Sequence, residues 1–69
     1  MGREKELYRD YLVELQEVFG ADTVFISLNR AAKYLRKDQR SLLGDKTFPV
    51  KKIGGRYEVP IRRLASWLA

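Results

Sequence analysis

SLNRAAKYLRKDQRSLL, residues 27–43, is the stretch on which the fold turns. Leu28, Ala31, Ala32 and Leu35 fall at i, i+3, i+4 and i+7, the apolar stripe of a short helix, with Ser27 placed as its N-cap. The two alanines let another element approach closely. Arg36 and Lys37 are too polar to prolong the stripe, Asp38 is a good N-cap for a new start, and Leu42 and Leu43 give the new turn something to bury. Two short helices joined by a tight polar turn make a helix-turn-helix, a unit that in a basic chain can set a helix N-terminus in the DNA major groove.

Downstream, TFPVKKIGGRYEVP contains two strand-like runs, residues 50–53 and 56–59, separated by Gly54-Gly55. Both glycines can take the positive φ of a type I′ turn, so a tight hairpin with a definite register is predicted. Counting outward, Ile53 faces Arg56, Lys52 faces Tyr57, Lys51 faces Glu58 and Val50 faces Val59. Lys51, Lys52, Arg56 and Tyr57 then form a basic wing suited to a phosphate backbone or a minor groove. The same lysines would also serve to guard an exposed edge strand. Gly54-Gly55 lacks the longer glycine pattern and strand-to-helix setting of a nucleotide-binding loop.

Upstream, Leu7, Tyr8, Tyr11, Leu12, Leu15, Val18 and Phe19 share one wide helical face, Val13 points away, and Gly20 is placed to end the helix. This helix either packs to enlarge a small core or offers a partner-binding face, and deleting residues 1–20 separates the two. Residues 24–26 read as a small strand with a pairing partner downstream. Pro60 suits N1 of a last helix, on which Ile61, Leu64, Ala65 and Leu68 repeat the stripe. Trp67 flanks that stripe and is expected half-buried against the N-terminal helix. Arg62 and Arg63 fall in the first turn, where the helix dipole disfavours cations and a nearby phosphate would relieve them.

On the second helix of the motif, Gln39, Arg40 and Ser41 occupy the turn that enters the groove in docked domains. Arg can bridge guanine O6 and N7, Gln can pair with adenine, and Ser can bond a base or a phosphate. Lys37, just before them in the connecting turn, is counted with them as a DNA contact. Arg30 and Lys33 could reach phosphates from the first helix, beside Tyr34 on what reads as a solvated face. All of these are also ordinary residues for exposed helix surfaces.

The 69 residues suffice for one domain (1–69) with one small core, and there is no cysteine to staple it. Without His or Cys, thiol redox chemistry and the usual zinc and Cys–His sites are excluded, and no cofactor is expected. Scattered carboxylates make an enzyme the least supported class. No apolar run approaches a membrane span, the charged start is unlike a secretory signal, and Met1-Gly2 is no myristoylation site because Glu6 stands where Ser or Thr is required. The expected location is the cytoplasm. Residues 1–22 carry three basic and six acidic groups, a balance of −3, whereas residues 23–69 carry eleven and three, a balance of +8. The basic part is the part with the helix-turn-helix, and a polyanion is its natural partner.

Over residues 24–69 the order of strand, SLNRAAKYL, short second helix, FPVKKIGGRYEVP and a helix ending RRLASWLA resembles the small winged helix-turn-helix proteins of the excisionase and MerR-like group. Two departures, a shorter run between Leu35 and Pro49 and Arg36 where a glycine is common, fall on the turn and the second helix. The resemblance implies base or phosphate roles for Gln39, Arg40 and Ser41 and backbone roles for Lys51, Lys52 and Arg56. The expected architecture is mainly α with a small β-hairpin (α+β), a winged helix-turn-helix preceded by an additional amphipathic helix over residues 1–20. The expected partner is double-stranded DNA, with an integrase or recombinase beside it and homo-oligomers on the DNA, as in excisionase-like factors of mobile elements and phages. A small transcriptional regulator on the same domain, and a protein-interaction module that has lost DNA binding, are the alternatives.

Overall fold

The structure, a computed structural model, describes residues 2–69, with side chains from Glu6 onward. Met1, and with it the start of the rejected acylation motif, lies outside the described residues. In chain order the elements are α1 (Gly2–Phe19), β1 (Phe25–Ser27), α2 (Leu28–Leu35), α3 (Gln39–Gly44), β2 (Lys51–Ile53), β3 (Arg56–Pro60) and α4 (Ile61–Leu68). Among the described residues this is an α+β arrangement of four helices and a three-stranded antiparallel sheet with strand order β1-β3-β2.

The helix α1 lies mainly against α4 and drives Leu15, fully buried, into the core. Its apolar face is narrower than the sequence stripe. Tyr8, Tyr11, Leu12 and Phe19 are half-buried, but Leu7 and Val18, on the flank of the stripe farthest round the helix from Leu12, stay exposed. Gly20 stops the helix in a left-handed conformation, φ +109°, and donates its N–H to Gln16 O at 2.8 Å.

The sheet is centred on β3. Ile26 of β1 pairs with Val59, and both turn inward and are buried. The hairpin has the register counted from its turn at Lys51↔Glu58, Lys52↔Tyr57 and Ile53↔Arg56, with φ +57° at Gly54 and +82° at Gly55. The expected Val50–Val59 pair is not part of the ladder. Val50 follows Pro49, lies before the first residue of β2 and packs half-buried on the core, while Val59 pairs on its other side, with Ile26 of β1. Pro60 is likewise not at N1. Pairing with Phe25 and the Ile61 N–H bond to Val24 O at 2.9 Å hold it extended (ψ 126°), as the last residue of β3 and the N-cap of α4.

In the middle of the chain, Ser27 Oγ accepts the Arg30 N–H at 3.2 Å and opens α2. Arg36 closes it in the left-handed region, φ 56°, with its N–H on Lys33 O and the Lys37 N–H on Ala32 O, the paired bonds of a Schellman motif built without glycine. Asp38 then caps α3 through the Arg40 N–H. Leu42 is buried, whereas Leu43 is not: at 41% exposure it lies beyond the reach of α2 in a helix of six residues. Gly44 belongs to the helix, as its last residue.

The loop between α3 and β2 carries a latch. Asp45 Oδ1 accepts from the Thr47 N–H at 2.9 Å and from the Thr47 hydroxyl at 2.7 Å, and Thr47 Oγ1 accepts the Trp67 Nε1–H at 3.1 Å. Buried Phe48 meets the Trp67 ring edge-on, with centroids 5.1 Å apart. Trp67 is half-buried as expected, and its hydrogen bond and ring contact are with this loop. No helix among the described residues is long and apolar enough to cross a membrane.

Candidate nucleic-acid interface

The side chains of α3 are oriented by one buried residue. With Leu42 in the core, the 100° step of a helix carries Arg40 about 160° away from it, to the outward crest, with Ser41 and Leu43 on the flanks and Gln39 near the base. Gln39, Arg40 and Ser41 are all exposed, as is Lys37 in the preceding turn. The amide of Gln39 does not hang free: its Nε2–H donates to Asn29 Oδ1, in the first turn of α2, at 3.3 Å. That bond uses one of two amide hydrogens and leaves the other, with the carbonyl, directed elsewhere. Asn29 has no local sequence signal, since it meets Gln39 only when the two helices cross.

The outer surface of α2 divides by the same rule. Asn29 stands toward α3 and Tyr34 toward α1, with Lys33 and Arg30 on the crest between them. Arg30 and Lys33 are exposed and border, with Val18, Phe19 and Tyr34, a shallow groove beside α1. Tyr34 itself is not on a solvated face. It is half-buried with its ring 5.7 Å from that of Phe19, and burial together with the Glu14 carboxylate raises its phenol above the ordinary value.

The hairpin presents two different faces. Side chains alternate along a strand, so Lys52 and Tyr57 share the side of the sheet that carries Ile26 and Val59, and the Lys52 ammonium lies 5.7 Å from the Tyr57 ring centroid. Lys51, Ile53 and Arg56 project from the opposite side. All five are exposed. The structure therefore brings together Lys52 with Tyr57, and Lys51 with Arg56, but does not put the four on one face.

Two of the three carboxylates within this basic part, Asp38 and Asp45, accept hydrogen bonds from the chain itself. Asp38 caps α3, and the hydrogen bonds from Thr47 hold Asp45 below its ordinary range. Glu58 stands opposite Lys51. Alongside Glu58 and the exposed Leu43 and Ile53, α3 and the hairpin face outward with guanidinium, ammonium, amide and hydroxyl groups able to bond phosphates and base edges. Among the described residues no group of three or more His, Cys, Asp or Glu could hold a metal ion. No protein-family model matches the chain, and no curated protein and no solved structure is significantly similar to it.

Proposed function

We propose that the chain is a winged helix-turn-helix protein that binds double-stranded DNA, with α2 and α3 as the helix-turn-helix and the β2–β3 hairpin as the wing. The observation that carries this reading is the exposure of Arg40 on the crest of α3 and of Lys52 and Tyr57 on a glycine-cornered hairpin, within residues 23–69, whose balance is +8. In this arrangement Arg40 bridges guanine O6 and N7 in the major groove. Gln39, steadied by Asn29, keeps one N–H and its carbonyl for adenine N6 and N7. Ser41, Lys37 and Lys33 take nearby phosphates, and the hairpin reaches the backbone or the minor groove.

A six-residue α3 reads few base pairs, so one copy discriminates weakly and adjacent copies must add their contacts. Together with the resemblance to the excisionase group, this favours a recombination directionality factor that binds neighbouring sites and bends them beside an integrase. Footprinting on the DNA flanking its own coding region tests the assignment. Several adjacent protected sites with enhanced cleavage between them support it; a single protected promoter repeat makes the chain a transcriptional regulator. An affinity for duplex that does not weaken as salt rises removes DNA binding altogether and leaves a protein-interaction module.

A further inference from the structure

Three cations outside the α3 crest converge on one cleft. Lys46 from the loop after α3, Lys51 from β2 and Arg63 from α4 border a depression of about 330 Å³, floored by Phe48, Val50 and Pro60. All three are exposed, and among the described residues the lining holds no carboxylate, although Glu58 stands opposite Lys51 across the β2–β3 ladder. The nearest carboxylate in sequence, Asp45, is turned to Thr47. Arg63 also lies in the first turn of α4, where the helix dipole opposes a cation and an anion would offset it. A concave site bordered by three cationic residues offers counter-charge to a phosphate.

Its place relative to the hairpin says which phosphate. Lys51 alternates away from Lys52, so the cleft and the Lys52–Tyr57 pair use opposite sides of the ribbon. A ribbon whose tip enters a minor groove has one sugar-phosphate strand on each side, and Gly54-Gly55 gives this ribbon a tip without side chains. We infer that Lys46, Lys51 and Arg63 form a second phosphate-binding site, gripping the strand across the minor groove from the one met by Lys52. The inference rests on the duplex-binding reading and adds Lys46 and Arg63 to it.

The test measures duplex affinity against salt for the full chain and for Lys46→Gln, Arg63→Gln and the control Arg9→Gln on α1, with Arg63→Lys as the charge-keeping variant. Each of the first two is expected to lower the slope of log affinity on log salt by about one, with Arg63→Lys restoring it and Arg9→Gln leaving it unchanged. Ethylation interference is expected to show the lost phosphates on the strand opposite those lost in Lys52→Gln. Unchanged slopes, an equal effect of Arg9→Gln, or losses on the same strand as Lys52→Gln each overturn the cleft while leaving duplex binding intact. A parent chain with no salt-dependent duplex binding overturns both.

Discussion

Arg36 holds a left-handed conformation that costs a β-carbon about 1 kcal/mol and that glycine adopts freely. Arg36→Gly is therefore expected to stabilise the domain by about 0.5–1 kcal/mol, read as a higher urea midpoint with an unchanged m-value. Two titrating groups make opposite demands on pH. Asp45 is held below its ordinary value by Thr47, so its contribution is present above the unfolded carboxylate value and is lost as pH falls through the lower folded one. Because Thr47 also accepts from Trp67, the tryptophan emission should shift in that acid window, and Thr47→Val should abolish the shift. Tyr34 is raised by burial and by Glu14, so its contribution is complete below the unfolded tyrosine value and is lost as pH rises through the higher folded one. Tyr34→Phe is expected to flatten the alkaline limb of a stability profile; an unaltered limb would mean that the phenol is free.

At the scale of elements, α1 decides whether a core exists. Leu15 is fully buried and the half-buried tyrosines pack against the same core, so Leu15→Ala should cost about 2–5 kcal/mol, much of what a domain this small has. Removing residues 1–20 should leave a chain without a cooperative thermal transition. A folded remainder would instead mark α1 as a docking helix. The hairpin answers to its corner. Gly55→Ala has room for the new methyl group but must hold it at φ +82°, a strain of about 1 kcal/mol. It should loosen duplex binding more than it lowers the melting temperature, because the corner lies outside the core.

The whole molecule measures 36 × 25 × 21 Å, so one copy bound along its length spans about one turn of duplex. Successive copies are expected to protect sites about 10 base pairs apart, which footprint spacing checks directly. Arg40→Ala should relax preference at one base pair by about 1–3 kcal/mol, whereas Lys52→Ala should weaken all sequences alike and reduce the salt slope by about one. Selection from randomised duplexes at two salt concentrations separates these outcomes.

Local patterns alone determined a good deal here. The caps at Ser27 and Asp38, the stop at Gly20, the stripes of α2 and α4 and the register around Gly54-Gly55 depend on residues within a few positions of one another, where steric and hydrogen-bonding rules act directly. Tertiary structure decided the rest. Ile26 came to pair with Val59, Trp67 turned to Thr47 and Phe48, Tyr34 moved against Phe19, and Asn29 came to hold Gln39. Each of these contacts joins groups at least ten positions apart, and a periodic pattern records which side of an element is apolar but not what will cover it. The two-faced division of the hairpin's cations lies between these cases. Alternation separates Lys51 from Lys52, and only the packing of Arg63 and Lys46 beside Lys51 makes one face a cleft.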